Sequence, residues 1–251
     1  MAQRSTSSPK TSRGRSSLLP LYLLLGVVAI VGIAVIIYQM KGKPAPTTQP
    51  VAMTLSPSEL AAVKGISIGR QDAPVTMFEF ADFQCPGCGQ FATFVVPLIK
   101  ERLVDTGLVR YVYYDFPLPM HAYSFLAARA ARCANEQGKF WEYHDVLYGK
   151  QPRWSAERTA AGATDQFIAY AGEVGLDRAR FEECLRSDRY AEDVTRSLKL
   201  GESLGVQGTP TLFVNGERLS EIPSFSQLEQ IVRAKAGSAA PTAPAADSAA
   251  R

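Results

Sequence analysis

The most apolar stretch of the chain comes first. Leu18 to Tyr38 (LLPLYLLLGVVAIVGIAVIIY) runs for 21 residues without a charge. As a helix it would span roughly 31 Å, close to the thickness of a bilayer core. After it the pattern becomes shorter and more punctuated. Val75 to Ala81 (VTMFEFA), Leu108 to Phe116 (LVRYVYYDF) and Thr211 to Val214 are brief apolar runs rich in β-formers, and each predicts a buried strand. Asn215-Gly216 is a strong hairpin signal and starts a fourth strand near Glu217. Phe91, Phe94, Val95 and Leu98 mark a helix after the first strand. It is expected to continue to Leu103 through a kink at Pro97. Between Leu118 and Gly205 the spacing is helical throughout, roughly His121–Gln137, Phe140–Gly149, Thr164–Val174, Arg178–Ser187 and Tyr190–Leu204. Ser224 to Ala234 supplies a closing helix.

A strand–helix–strand…strand–strand–helix frame thus carries a sheet, and the five helices inserted in it form a lid. The class is α/β, one domain over 55–236 with a helical insertion at about 118–205. Around it lie a basic tail at 1–17, the apolar helix at 18–38, a polar Pro- and Thr-rich tether at 39–54 and an Ala/Pro/Ser-rich tail at 237–251, expected to be disordered.

Charge orients this layout. Arg4, Lys10, Arg13 and Arg15 precede the apolar helix with no acid among them, which predicts a cytoplasmic N-terminus and an extracytoplasmic domain. A single-pass membrane anchor is therefore expected; a cleaved signal peptide is the alternative, although the run is long for one. Of the 27 basic residues, 23 remain beyond the tail against 24 acidic ones, so nothing in the balance points to nucleic acid.

Four cysteines carry the candidate chemistry. Cys85-Pro86-Gly87-Cys88 follows the first buried strand. Proline is favoured at the first helical position, so Cys85 is expected at the N-cap with Cys88 in the first turn, close enough to bridge. The helix N-terminus stabilises a thiolate, which predicts a lowered pKa for Cys85 and a more buried, less nucleophilic Cys88. Glu79 sits inside the same strand, on a face with Val75 and Met77; burial should push its pKa up and suit it to carry protons for Cys88. The competing reading is a carboxylate paired at a sheet margin. A zinc site built from four cysteines is weighed and set aside, because Cys133 and Cys184 stand singly and the compartment is oxidising. Those two read as a structural disulfide, with a redox relay as the alternative. His144 and Trp141, in a stretch dense with aromatics, read as core or boundary; His121, which begins a helix after Pro119, also reads as structural, with a modest electrostatic role as the alternative.

Taken together, FEFADFQCPGCGQF, FPLPMHAYSFLAARAARCANEQGKFWEYHDVLY and LGVQGTPTLFVNG resemble the DsbA family of thioredoxin-fold oxidoreductases, in particular its membrane-anchored or secreted relatives with a second cysteine pair. The resemblance covers about residues 64 to 236. It implies that Cys85 is the attacking thiol and Cys88 the resolving one, that Pro210 is a cis proline facing Cys85, and that Thr209 offers its backbone to an extended substrate. It also implies a disulfide between the lid helices, a membrane reoxidase of the DsbB or VKOR type as partner, exported proteins as substrates, and no cofactor. Gly87 departs from the histidine of the best-known oxidase in the family, and Thr209 from its valine. The function expected is a protein disulfide oxidase. A reductase or isomerase of the same fold is the alternative, and so, from a different class, is a tethered non-catalytic binding module.

Overall fold

The computed structural model of the chain describes residues 19–40, 46–50, 53 and 56–239. The tail at 1–17 lies outside them, as do half of 39–54 and residues 240–251; residues 237–239, expected in the disordered tail, instead continue the closing helix. The chain divides into two units, Met1–Lys43 and Pro44–Arg251.

In the first unit the apolar run forms one helix, α1 (Leu19–Met40). Its side chains are described from Tyr22 to Val35 and are exposed. Over the described residues, no helix is long and apolar enough to cross a membrane.

The second unit opens with a short helix, α2 (Pro57–Ala61), which the sequence pattern did not predict, and is built on five strands: β1 (Ile66–Ile68), β2 (Val75–Ala81), β3 (Val109–Asp115), β4 (Thr211–Val214) and β5 (Glu217–Arg218). They lie in the order β1-β3-β2-β4-β5. β2 and β3 are parallel, and every other pairing is antiparallel. The parallel pair is central and needs a long crossover, which α3 (Pro86–Phe94), α4 (Val96–Ile99) and a π-helical turn over Lys100–Val104 provide. Pro97 lacks an N–H, so the expected kinked helix breaks at Val95 and restarts with the proline in its first turn.

β2 is buried on both faces, as a central parallel strand should be. Val75, Met77 and their β3 and β4 neighbours Tyr111, Leu212 and Val214 pack under Phe91, Val96 and the closing helix α11 (Phe225–Ala239), through Leu228 and Val232. On the other face Phe80, Phe116, Phe213 and Val206 form a smaller cluster. The Asn215-Gly216 turn has both residues at positive φ, which fits the hairpin between β4 and β5.

The insertion is helical from end to end: α5 (Ser124–Asn135), α6 (Phe140–Gly149), α7 (Gln151–Ser155), α8 (Ala160–Glu173), α9 (Arg178–Arg186) and α10 (Ala191–Ser203). Trp154, Phe167, Phe181 and Tyr143 form its centre. α5 begins later than the spacing suggests. Leu118 to His121 close a turn instead, with the His121 N–H donating to Leu118 O, because the Leu118 N–H and the His121 ring are both bound to Asp82. α8 begins earlier, at a Thr159 N-cap whose hydroxyl accepts from Gly162 N. Two short elements, β1 and α7, carry no periodicity of their own and are stabilised by what they meet: β1 by pairing with Tyr111–Tyr113, and α7 by burying Trp154.

The segment 46–50 is held against the domain. Thr47 N donates to Asp188 Oδ1 (2.9 Å), and Thr47 O accepts from Arg129, whose side chain is buried.

Candidate active site

β2 ends under the site and α3 begins in it. Between them Asp82–Gln84 turn the chain, so that Cys85 lands at the N-cap of α3 with Pro86 in its first turn. A proline in the first helical turn forfeits no helical hydrogen bond, so the motif itself starts the helix. Both cysteines are free thiols; Cys88 is fully buried and Cys85 nearly so. Across from them the Thr209–Pro210 peptide is cis. Cys85 Sγ lies 3.3 Å from Thr209 O. A methyl placed on Gly87 would stand 3.6 Å from Pro210 Cδ and 3.8 Å from Cys85 Sγ, so the dipeptide between the thiols packs on the cis proline.

Cys85 is held as a thiolate down to about pH 5, its pKa, against 9.0 for an ordinary thiol. The first cause is hydrogen bonding from the Cys88 thiol. Thr209 follows, then the main-chain N–H groups of Cys88 and Gly87, while burial acts the other way. These two N–H groups act as the weaker contributors, since neither reaches full capping geometry on the side chain. The partner thiol, rather than the helix terminus alone, is therefore the leading stabiliser. Cys88 moves the other way: burial, the neighbouring Cys85 and Glu79 hold its pKa well above the ordinary value. Asymmetry of this kind makes one thiol a nucleophile and leaving group and the other a protonated reserve.

Glu79 lies under the pair, fully buried, with its carboxyl bonded to the Tyr111 hydroxyl. Burial lifts its pKa to about 7, opposed by the Tyr111 hydrogen bond and assisted by the charge of Cys85. A carboxyl with a pKa near neutrality can take and return a proton in the working range. Its linkage to stability has a definite sign. The folded protein holds this proton more tightly than the unfolded chain. Its contribution is therefore full below the ordinary value of 4.5 and is lost as pH rises through about 7. For the reduced protein that loss is about 3 kcal/mol. Glu79→Gln is expected to flatten this part of the profile, as read by denaturant unfolding at pH 4.5 to 8. An unchanged slope would mean that the carboxyl does not titrate there.

Cys133 and Cys184 are joined to each other, with Cα atoms 5.8 Å apart, linking α5 to α9 within the buried core of the insertion. Neither is bonded to Cys85 or Cys88, which stay free thiols. His144 is fully buried among Phe83, Tyr113, Phe140, Trp141 and Tyr148.

Three further residues hold the site. Gln151 Nε2, at the start of α7, donates to Phe83 O (2.7 Å) and Cys85 O (2.9 Å). Gln84 Oε1 accepts from Tyr123 N at 2.7 Å. Asp82 is buried behind Cys88 and bonded to His121. Asp82 had a signal in the sequence, a charge inside an apolar run; the two glutamines had none, because their role exists only once insertion and frame meet.

A dithiol at a helix N-terminus, set against a cis proline beside a mixed sheet with a helical insertion, defines the class of thioredoxin-fold thiol–disulfide oxidoreductases of the DsbA type. Comparison with known proteins agrees. Residues 61–234 match the thioredoxin family, and the chain belongs to that family, among its DsbA-like members. It is 30% identical over 172 residues to the probable disulfide bond formation protein D of Bacillus anthracis, covering 66% of this chain and 76% of that one. The crystal structure of oxidised BdbD from Bacillus subtilis superposes with a TM-score of 0.62 at 24% identity, over 75% of this chain and 99% of that one, a likeness of fold. The chain is also 42% identical over 151 residues to the Na(+)/H(+) antiporter NhaA 3 of Salinispora tropica. That match takes in 60% of this chain but only 21% of the antiporter.

Proposed function

We propose that the protein is a membrane-tethered, extracytoplasmic thiol–disulfide oxidoreductase that introduces disulfides into exported proteins through Cys85 and Cys88. The observation that carries this reading is the opposed behaviour of the two thiols, a stabilised thiolate at Cys85 and a protonated, buried Cys88. In the oxidised enzyme a substrate thiolate attacks Cys85 Sγ; the Cys85–Cys88 bond breaks and Cys88 leaves as a thiolate. Glu79, with its carboxyl proton, is placed to protonate it. A second substrate thiolate then attacks the substrate sulfur of the mixed disulfide, and Cys85 departs with the electron pair. The substrate loses two electrons and two protons; the enzyme gains both electrons and one proton, on Cys88 by way of Glu79, which is reprotonated, while the other proton passes to solvent because Cys85 stays a thiolate. A low pKa makes Cys85 a good leaving group and drives the exchange forward. An extended substrate chain would lie along Thr209 and Pro210, whose carbonyl edge faces Cys85.

The uncharged 21-residue run Leu18–Tyr38 and the basic residues before it in the sequence support the anchor and its orientation. Reoxidation is assigned to a membrane partner of the DsbB or VKOR type, and the enzyme needs no cofactor of its own.

Because its folded pKa is depressed, Cys85 favours the reduced protein fully above the ordinary thiol value. That preference is lost as pH falls through about 5. Two measurements test the reading: iodoacetamide alkylation of Cys85 against pH, and equilibration of the dithiol with glutathione. A midpoint near pH 5 and a potential on the oxidising side are expected. A midpoint near 9 with a thioredoxin-like potential, about −270 mV, would assign the chain to reduction instead.

A further inference from the structure

The Asp82–His121 pair is unused by the exchange just described, yet it touches the redox centre. The Asp82 side chain has no exposed surface, and the His121 side chain is 20% exposed. A buried carboxylate is costly unless its lone pairs are satisfied. Asp82 accepts from Gln84 N (2.7 Å), from Leu118 N (2.8 Å) and from the His121 ring at Nδ1 (2.7 Å). A carboxylate can only accept, so Nδ1 is the nitrogen that carries the hydrogen. The same residue reaches the dithiol through its main chain, the Asp82 N–H pointing at Cys88 Sγ at 3.5 Å. Its carbonyl accepts from Cys85 N at 3.0 Å. One residue thus holds both cysteines by its backbone, while the insertion holds that residue by its side chain.

Resting on the oxidoreductase reading, we propose that His121 is a positioning residue for the redox centre. It fixes the Asp82 backbone that grips both cysteines, and it offsets the carboxylate charge buried on the residue that meets Cys88 Sγ through its N–H. Other charges nearby do not substitute for it. Glu202 of α10 lines the same cavity as His121 but is acidic and bound to Lys199, and Arg132 is committed to Asp115. The Asp82 carboxylate opposes a thiolate next to it, and a donor on that carboxylate weakens the opposition. Removing the donor therefore destabilises the reduced, thiolate-bearing form and makes the enzyme a weaker oxidant.

The test uses the full chain with three variants, each equilibrated with glutathione and alkylated across pH. His121→Ala is expected to shift the equilibrium toward the Cys85–Cys88 disulfide by about tenfold, ~30 mV for a two-electron couple, and to raise the alkylation midpoint. His121→Asn, whose amide can donate in place of Nδ1, should return both values to near wild type. A merely structural histidine would leave both readouts in place while lowering stability. The inference is overturned if His121→Ala stays within about twofold of wild type, moves the other way, or is matched by His121→Asn. Should His121→Ala not fold, Asp82→Asn decides. Removing the buried charge must lower the alkylation midpoint, and an unchanged or raised midpoint overturns the proposal. A wild-type chain that fails to exchange with glutathione at all would instead refute the oxidoreductase reading.

Discussion

Cys88→Ala is expected to end turnover and to leave the chain covalently tied to its substrates through Cys85. The resolving thiol is the first-named source of stabilisation for the Cys85 thiolate, so its removal also raises the Cys85 pKa from about 5. Even so, Cys85 keeps Thr209 and the N–H groups of Cys88 and Gly87 around it, the backbone of which the substitution retains. Given a disulfide-bonded substrate, the Cys85 thiolate attacks one substrate sulfur and the other leaves as a thiolate; the mixed disulfide so formed can no longer be cleared by Cys88 and accumulates. Disulfide formation in a reduced test protein should fall by on the order of 1,000-fold or more, since a covalent step loses one of its partners. Non-reducing electrophoresis should show adducts that a reductant dissolves. Cys85→Ala in the same assay should lose activity and form no adduct. Free monomer only, from Cys88→Ala chains mixed with disulfide-bonded substrate, would favour a static binding module.

The second large effect concerns stability. The Cys133–Cys184 bond spans 51 positions of chain. In the chain-entropy model, closing a loop of that length stabilises the fold by about 4 kcal/mol. The bond also ties α5 to α9 beside Arg129, a buried side chain one turn from Cys133 on α5. Arg129 donates to Leu185 O, the carbonyl next to Cys184, and to Thr47 O. Replacing both cysteines by alanine should lower the unfolding free energy, read by denaturant titration, by most of that amount and leave the Cys85 alkylation midpoint in place. A loss below about 1 kcal/mol would show that the helices stay docked through their apolar contacts alone. A displaced alkylation midpoint would mean that the two cysteine pairs are linked.

Much of the architecture was legible in the pattern. Val75–Ala81 and Thr211–Val214 coincide with strands of the structure, and Phe140–Gly149 with a helix. In each case the hydrophobic spacing is strong and the element is buried on the side the spacing indicates. What escaped notice were β1 and α7, a three-residue and a five-residue element held by neighbours far away in sequence. The start of α5 was misplaced for a related reason. Helical spacing extends back to His121, but Asp82, 39 residues earlier, takes the Leu118 N–H and the His121 ring out of the helix.

The sequence alone determined the kind of chemistry. Two thiols separated by a proline and a glycine after a buried strand must come together at a helix start, because proline fixes φ there and the helix period brings the fourth residue back beside the first. The same strand pattern put Glu79 in the interior, where its pKa had to rise. Tertiary structure decided the rest. It set Thr209 and Pro210 against Cys85 across 124 positions of chain. It also made the second thiol the leading stabiliser of the first and passed the hold on the redox loop to Gln151 and His121 of the insertion. Those outcomes depend on distances between residues that no local pattern encodes, and electrostatic and hydrogen-bond energies exist only once such distances are fixed.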